Sequence, residues 1–510
     1  MDQDRDRPRR RRRRHRHRSG EDYISGLPDE LLRSILLRLG SARAAARTSV
    51  LSRHWRHVSA NLPELVFGNG MPTAPATSFL NVVDGALAAY TATNLETLHI
   101  IVPTDGDNGF NGIPARHVVP WLRFAAERVA GELVLLMPPV QRPPLHEPWP
   151  EPEVDWEEYV LELPACERAE TIVLRLHHHW WLRLPPAGGV FTALTSLTIL
   201  FATMKGSEIT ALVSERCPCL RNLRLCLTLV YASDVSIRSD SLRSLSYSVT
   251  ETQWLEVMET RRLEVVTPRL ENLFVRAHID EARFSVPKLQ RVVWRAAAYN
   301  PQRHRFDGVG RRLRLLDLGE SFTVTPLMQE FNEVDELILG ISTPRGSGVH
   351  EIFFNETNKM PKCKILRISL RWNKHGLAPV ILHLLRNCSS TKKLSVQLVD
   401  SCGYSSGKHC WSTSLCRLEE SRRAKGVALN SLEQIEITSH ESSQEELLEF
   451  VEQLLSICNA AVLKKLVINY TAFFDPSRTK TVCKKMRRMC HPNTELEVYE
   501  FSDGGCVRFY

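Results

Sequence analysis

One spacing of apolar residues recurs along most of this 510-residue chain and constrains its fold more than any other feature. In the pattern L-x-x-L-x-L the last two apolar residues point to the same face of a strand, because strand side chains alternate. Between Leu194 and Val334 successive copies start 26, 22, 28, 19, 24 and 21 residues apart. A period of about 20–29 residues predicts similar units stacked in an array rather than a single compact core.

Further copies extend this pattern over much of the chain. The full pattern starts at Leu95, Leu194, Leu220, Leu270, Leu313, Val334, Leu432 and Leu463. Weaker copies lie at Leu242-Leu245, Leu289-Val292 and Leu366-Ile368. Because Leu, Ile and Val are common, the motif count is weak evidence by itself, and the regular spacing carries the prediction.

A different pattern occupies the segment from Asp22 to Phe67. Pro28 suits the first turn of a helix, where a missing N–H costs little, and acidic residues follow it at the positive end of the helix dipole. The apolar residues that follow recur at steps of three and four and form one stripe: Leu31, Leu32, Ile35, Leu36 and Leu39. About 45 residues supply little core, so the stripe predicts either a helical cap packed on the next domain or a surface for a partner.

The order of motifs in this segment resembles an F-box. Leu27-Pro28 opens it, and Val50-Leu51-Ser52 with Trp55 closes it. The resemblance implies three helices that dock on a Skp-family adaptor and, through it, on the cullin and RING subunits of a ubiquitin ligase. Carried over position by position, it implies adaptor contacts at Leu27, Pro28, Leu31, Leu32, Ile35, Leu36, Val50, Leu51 and Trp55.

The repeats resemble the irregular leucine-rich repeats that follow plant F-boxes, with strands on the concave side and helices or loops outside. An unrelated α/β domain with the same strand periodicity is the alternative. Residues 431–510 alternate strand and helix patterns and resemble the FBD region that closes many of these proteins; two ordinary terminal repeats would fit as well. The expected fold is therefore α/β: a three-helix F-box, an irregular leucine-rich-repeat solenoid and an α/β C-terminal cap.

Four segments follow from these patterns. We expect a disordered Arg-rich tail at 1–20, the F-box at 21–68, the repeats at 69–430 and the FBD-like cap at 431–510. Proline density near 138–155 and a Ser-, Gly- and Cys-rich stretch near 400–428 predict two insertions in the repeats.

The charge of the chain is concentrated at its start. Residues 1–18 hold ten Arg and three Asp, so they carry +7 of the net +8, and the rest carries only +1. The tail suggests a nuclear-import signal, a nonspecific phosphate binder or a solvated tail with no dedicated role. The nearly neutral body makes nucleic acid an unlikely partner of the whole protein.

The sequence also limits the cellular compartments in which we expect the protein. The sequence has no apolar run of the roughly 18 residues that a membrane span needs, and no apolar region follows its basic start. Thirteen scattered cysteines are typical of free thiols in a reducing compartment rather than of a disulfide framework. We therefore expect the nucleus, the cytoplasm or both, with no membrane partner.

No motif for catalysis, metal or cofactor binding emerges. The sequence lacks a phosphate-binding loop and a nucleophile elbow. Cys217-Pro218-Cys219 has no second ligand pair at zinc spacing and is better explained as repeat scaffold. We expect no cofactor and no enzyme activity.

The leading hypothesis is the substrate-recognition subunit of a Skp–cullin–F-box ubiquitin ligase, which binds the adaptor through the F-box and a target protein through the repeats. One alternative is a nucleic-acid-associated protein that uses the Arg-rich tail. The other is an F-box scaffold that acts without a ligase. The target itself cannot be read from one sequence, because repeat surfaces recognise partners through exposed side chains.

Overall fold

The computed structural model describes most of the chain. It covers residues 27–38, 53–68, 76–103, 113, 115–137, 160–176, 180–186, 188–250, 260–295, 298–319, 322–342, 360–372, 383–400, 430–440, 444–458, 462–471, 476–502 and 505–508. The predicted tail at 1–20 lies outside these ranges, and so do both predicted insertions apart from Asp400. In the described ranges no helix combines the length and apolarity that crossing a lipid bilayer requires.

The α-helices lie mainly near the two ends of the chain. They are α1 Asp29–Arg38, α2 Arg53–Ser59, α3 Ala76–Ala89, α4 Ala115–Arg128, α5 Gly206–Thr210, α6 Gln444–Ile457 and α7 Pro476–Met489. A π-helical turn occupies Ala211–Glu215, a 3₁₀ segment occupies Phe322–Glu330, and residues 383–387 are helical.

Strands dominate the rest of the described chain. The first twelve are β1 Glu64–Phe67, β2 Leu95–Ile101, β3 Val129–Leu136, β4 Val160–Glu162, β5 Thr171–Arg175, β6 Trp181–Arg183, β7 Ser196–Met204, β8 Asn222–Leu229, β9 Ser233–Arg238, β10 Ser244–Val249, β11 Thr260–Val266 and β12 Asn272–Arg276. The others are β13 Ile279–Ser285, β14 Arg291–Trp294, β15 His304–Asp307, β16 Arg312–Asp317, β17 Glu333–Ser342, β18 Lys362–Trp372, β19 Lys393–Asp400, β20 Gln434–His440, β21 Lys465–Thr471, β22 Glu495–Ser502 and β23 Gly505–Arg508.

Nineteen of these strands form one long sheet. Its main series runs in chain order from β1 to β22 with parallel pairing throughout, and β23 closes it with an antiparallel pair. The second apolar site of each predicted motif copy lies on a strand of this sheet, and these sites face one another in register, as Leu223 with Leu245 and Leu337 with Leu366. The L-x-x-L-x-L spacing therefore does mark strands that stack in order.

The motif missed some strands because their first site is not a large apolar residue. Ala169 precedes β5 and Thr391 precedes β19, and both are buried at the position where other units place leucine. Cys363 holds the same position in β18, which explains why that copy looked weak. A buried small residue satisfies packing at this site without matching a template of large side chains.

The other side of the array differs from the prediction between residues 233 and 307. We expected helices or loops outside the strands, and this was wrong here: β9, β11, β13 and β15 form a second parallel sheet of four strands. Buried and open residues alternate along most of β9 and β13. In β9, for example, Val235 and Ile237 are buried and the residue between them is only partly buried. An alternating segment buries its apolar face against the first sheet and so forms a strand.

Aromatic side chains fill the space between the two sheets. The Phe284 ring meets the Trp294 ring edge to face with centroids 5.9 Å apart, and Tyr299 meets Trp294 in the same way at 5.6 Å. The Tyr247 and Thr260 hydroxyls hydrogen-bond at 2.9 Å across the layers. The core is thus continuous with the leucine columns of the long sheet, and one hydrophobic cluster runs from Leu65 to Val498.

The C-terminal residues continue the same sheet. β19 pairs with β20 in register across the predicted boundary at residue 431, and β20, β21 and β22 alternate with α6 and α7. The α6 residues Leu447, Val451 and Leu454 are buried, as its apolar stripe predicts. Strand and helix patterns were therefore readable here, while the division into separate domains stays a prediction.

Candidate functional site

Helix α1 begins where its sequence predicts. The Leu31 and Leu32 N–H groups donate to the Pro28 carbonyl at 3.0 and 3.1 Å, which forms the first turn behind the proline. Asp29 and Glu30 lie in that turn. Proline and acidic residues both favour a helix start, so the local sequence sets the residue at which α1 begins.

Helices α1 and α2 share a small hydrophobic core of their own. Leu32, Leu36, Trp55, Val58 and Leu62 are all buried, with exposures of 0 to 3%. Leu27 and Leu37 pack against this cluster and are half-buried. Among the described residues this cluster is separate from the large core of the sheets.

The side of α1 next to this cluster presents apolar side chains to solvent. Leu31 is 52% exposed and Ile35 is 39% exposed. They are four residues apart, so they are neighbours on one helix face, and exposed Pro28 lies just before them. Large exposed aliphatic neighbours are uncommon on a free surface and mark places where a partner binds.

The residues predicted to contact the adaptor therefore fall into groups. Pro28, Leu31 and Ile35 are exposed, and Leu32, Leu36 and Trp55 form the module's core. Leu27 is half-buried beside that core. Val50 and Leu51 lie outside the described residues. The adaptor contacts stay a prediction, which the exposed group can fulfil directly and the buried group only by shaping the helix pair.

Polar contacts fix α1 relative to α2. The His54 Nε2 atom lies 3.2 Å from the Asp29 Oδ1 atom, and both side chains are partly exposed. A shallow depression of about 470 Å³ lies beside α1 and is lined by Glu30, Arg33, Ser34, Leu37, Arg38 and Pro63. A polar contact between partly exposed side chains adds little stability, so this one mainly sets how the two helix ends face each other.

The module is tied to the long sheet at its C-terminal end. The Tyr90 hydroxyl donates to the Leu62 and Asn94 carbonyls, both at 2.9 Å, and burial raises the pKa of this hydroxyl. The Thr91 N–H donates to the Ala60 carbonyl at 3.0 Å, and the chain then enters β1, which pairs with β2. The exposed face of α1 is therefore held at a defined position relative to the repeats.

Sequence reasoning missed part of this module. Val58 and Leu62 complete its core, and the spacing of Trp55, Val58 and Leu62 at three and four residues is the helical signal that would have revealed them. The pairing of Asp29 with His54 had no such signal, because it depends on how the two helices cross.

The described residues include several buried cysteines and no metal-binding cluster. Within them no three His, Cys, Asp or Glu side chains are grouped to hold a metal ion. Burial raises the pKa of the Cys166, Cys217 and Cys458 thiols to about 12, so these thiols stay protonated near neutral pH. A protonated, buried thiol is a poor nucleophile.

Two family models match the chain. The F-box domain model matches residues 24–67, and the model of the leucine-rich repeats of the FBD-associated F-box protein At5g56370 matches residues 118–292. Both matches end before the C-terminal segment at 431–510. The matched families are ones whose members bind partners and are generally not catalytic.

Curated proteins of Arabidopsis thaliana are similar over shorter or longer stretches. The putative F-box/LRR-repeat protein At5g02930 is 23% identical over 389 residues, which are 75% of this chain and 74% of that protein. The putative FBD-associated F-box protein At5g50270 is 33% identical over 114 residues, 22% of this chain and 26% of the relative. F-box/LRR-repeat protein 25 is 38% identical over 79 residues, 16% of this chain and 28% of the relative.

These matches and the geometry agree on both parts of the resemblance. The helical module with its own small core lies in the F-box match, and strands β5 to β12 lie in the repeat match. The chain therefore has an F-box match and a match to leucine-rich repeats of an FBD-associated F-box protein, which is the resemblance that its sequence predicted.

Proposed function

We propose that this protein is the substrate-recognition subunit of a Skp–cullin–F-box ubiquitin ligase. F-box domains generally bind Skp-family adaptors, and F-box proteins with leucine-rich repeats are typically substrate receptors. The observation that carries the proposal is the exposed pair Leu31 and Ile35 on α1, beside the buried cluster of Leu32, Leu36 and Trp55. The adaptor covers this pair and links the protein to cullin and RING subunits.

The proposed role is positioning rather than catalysis. A receptor that holds its target beside a charged ubiquitin carrier raises the local concentration of the acceptor lysines. The hydrogen bonds from Tyr90 and Thr91 support this role, because a fixed joint keeps the bound target at one distance from the adaptor. No reacting group of this chain is needed.

The finer architecture belongs to the same proposal. The segment 39–52 would supply the middle helix of a three-helix F-box, and the long parallel sheet would be the concave wall of a leucine-rich-repeat solenoid. The strands and helices after residue 431 would form its FBD-like cap. We place the complex in the nucleus, the cytoplasm or both.

The test is adaptor binding by a Leu31→Asp, Ile35→Asp double variant. A buried aliphatic side chain contributes about 1.5–3 kcal/mol, so loss of both contacts should weaken binding at least tenfold. Co-purification and calorimetric titration with a Skp-family adaptor measure this. Both side chains are exposed, so the variant should keep the wild-type circular dichroism spectrum and melting temperature.

A matched control is the Val190→Asp, Tyr231→Asp double variant, which adds the same two negative charges at side chains that are 40% and 81% exposed and lie on the repeats. It should bind the adaptor as the wild type does. Unchanged adaptor binding by the folded double variant would refute the proposed use of α1. Normal adaptor binding without any turnover of captured proteins in cells would instead favour the non-ligase scaffold.

A further inference from the structure

One stretch of the long sheet presents a face that has positive charge and no negative charge. Strands β5, β7, β8, β10, β12 and β14 contain no Asp or Glu at any position. Four exposed arginines lie on these strands: Arg175, Arg224, Arg276 and Arg291. We call the outward surface that they define the basic face.

The strand register puts these arginines on the same side of the sheet. Arg276 pairs with Ser248, and the same row continues through Cys226 and Leu200 to Arg175. Arg224 lies in the row two positions before it and Arg291 in the row two positions before that. Side chains an even number of positions apart point the same way, so all four project from the face opposite the leucine columns.

The carboxylates on either side of the basic face have side-chain partners of their own. At one edge the His99 Nε2 atom lies 2.9 Å from the Glu132 Oε2 atom, and at the other the Arg295 Nη2 atom lies 2.7 Å from the Asp317 Oδ2 atom. Ion pairs between neighbouring strands continue beyond that edge and also cover the second sheet. Within the described ranges none of the four arginines of the basic face has a carboxylate partner.

The rest of this face is mixed, because Val173 and Phe274 lie in the row of Arg224, and Leu200 and Cys226 lie in the row of Arg276, while short polar side chains fill most of the third row. Ser196, Asn222, Ser244 and Asn272 form one row across four strands. Their short side chains leave the long arginine side chains standing above the sheet, and they offer hydrogen bonds to a backbone laid across the strands.

A strained residue lies at the edge of this surface. Phe201 has a positive φ of 60° at a bulge in β7, where the register shifts between Leu200 and Ala202. The Arg175 guanidinium lies 5.8 Å from the centre of the Phe201 ring. Bulges re-aim side chains, and a positive φ at an aromatic residue costs free energy that the fold must offset. The bulge thus holds Arg175 beside an aromatic ring at the rim of the basic face.

We infer that the basic face binds an acidic, extended segment of the target protein, an inference that rests on the proposed receptor function. Guanidinium groups bind carboxylates through paired hydrogen bonds, and four arginines without carboxylate partners in the described ranges leave that capacity open. Neighbouring strands are roughly 4.8 Å apart, so the four strand steps from Arg175 to Arg276 span roughly 19 Å. About six residues of extended chain cover that distance.

The observations favour a polypeptide over nucleic acid. Four arginines spread over five strand steps, roughly 24 Å, are sparse compared with a phosphate every few ångströms along a strand. The body after the tail carries a net charge of only +1, so it lacks the broad positive field that nucleic-acid binding uses.

The experiment measures binding of a fluorescent twelve-residue peptide of alternating Glu and Ser by anisotropy. The protein is the full chain, alone and with its adaptor. An Arg175→Gln, Arg224→Gln, Arg276→Gln variant should lose on the order of tenfold or more in affinity, because exposed ion pairs each contribute modestly. The same peptide with Gln in place of Glu should bind to neither protein.

The matched control removes three positive charges from the second sheet: Arg238→Gln, Arg261→Gln, Arg283→Gln. These arginines already pair with Glu264, Asp234 and Asp307. This variant has the same net charge as the first and should bind the peptide as the wild type does. Equal losses in both variants, or no loss in either, would overturn the inference and assign binding to bulk charge or to the Arg-rich tail.

Two further results would also overturn the inference. One is tighter binding of a twelve-nucleotide single strand than of the peptide, lost in the first variant, which would make the face a nucleic-acid surface. The other is peptide binding that appears only when the six carboxylates from Glu147 to Glu158 are changed to amides. That result would show that this acidic segment of the chain itself occupies the basic face.

The adaptor assay separates this inference from the receptor function. The arginine variant should keep full adaptor binding, because its substitutions lie far along the chain from α1. Peptide binding without adaptor binding would support the basic face and refute the receptor function. Adaptor binding without peptide binding would support the receptor function and refute the peptide-binding role of the basic face.

Discussion

At the scale of single residues, burial decides which apolar side chains of α1 hold the module and which are open to a partner. Leu32 and Leu36 are sealed, while Leu31 and Ile35, on the same helix, are exposed. The stripe in the sequence contains all four and gives no reason to separate them. The separation depends on where Trp55 packs, which is a property of the helix pair.

His304 shows how burial can also set the charge of a residue. Its Nδ1 atom accepts a hydrogen bond from the Asn300 N–H at 3.0 Å, so its Nε2 atom carries the proton and donates to the Ile279 carbonyl at 3.0 Å. Burial lowers the pKa of this imidazole, and the charges of Arg303 and His278 lower it further. The side chain is therefore held neutral between the two sheets.

We predict that His304 makes the protein less stable as the pH falls. Its pKa in the unfolded chain is about 6.5, and its pKa in the folded protein is lower. Above about pH 6.5 neither state binds the proton, but below it the unfolded state does so first, and the free energy of unfolding falls until the folded pKa is passed. Denaturant unfolding at pH 7.5 and pH 5.5 measures the loss.

The control is His304→Gln, which cannot titrate. It should be less stable than the wild type at both pH values, but its stability should change less between them. The same change in both proteins would show that His304 does not contribute to the pH dependence.

At the scale of elements, the joint between the F-box and the repeats depends on one glycine. Gly68 follows β1 with a φ of +110°, and a Cβ atom there would lie 2.0 Å from the Ile101 carbonyl oxygen. Only glycine fits both the conformation and the close approach of β2.

We predict that Gly68→Ala destabilises the protein by about 1–3 kcal/mol or more, because it adds backbone strain and a clash at the same position. The free energy of unfolding measured with denaturant checks this. Gly85→Ala is the matched control: Gly85 lies in α3 with nothing within 4 Å of an added Cβ, so alanine should be neutral or stabilise the helix by about 0.5–1 kcal/mol. Equal stability of the two variants would contradict the tight joint.

Sequence patterns predicted the stacked strands well and the layer behind them poorly. Leu223 and Leu245 belong to a motif that repeats from unit to unit, so their burial was foreseeable. In β9 the apolar residues Val235 and Ile237 alternate just as clearly with polar residues. Alternation alone does not say whether a segment joins the existing sheet, forms a second one or lies in a loop.

At the scale of the whole molecule, two separate hydrophobic clusters suggest two units that unfold separately. The small cluster of α1 and α2 ends at Leu62, and the large one begins at Leu65. A few hydrogen bonds and the β1–β2 pairing join them. A small core is marginally stable without its partner.

We predict that Leu36→Ala loosens the F-box without loosening the repeats. Leu36 is 2% exposed, so truncation leaves a cavity and costs about 2–5 kcal/mol. Hydrogen–deuterium exchange should rise across 29–62 and stay unchanged in β7 to β14, and an adaptor should restore protection. Leu31→Ala, at the exposed site, should leave exchange of the free protein unchanged. Faster exchange throughout the repeats would show a single cooperative unit.

The sequence by itself determined the class of unit at each place. Proline and acidic residues started α1, the leucine spacing set the stacked strands, and the F-box motifs indicated the family, because these are local preferences or periodic patterns. Only the tertiary structure decided which of these residues remain accessible. Exposure of Leu31 and Ile35 and the gathering of Arg175, Arg224 and Arg276 on one face depend on helix crossing and strand register, which join residues far apart in the chain.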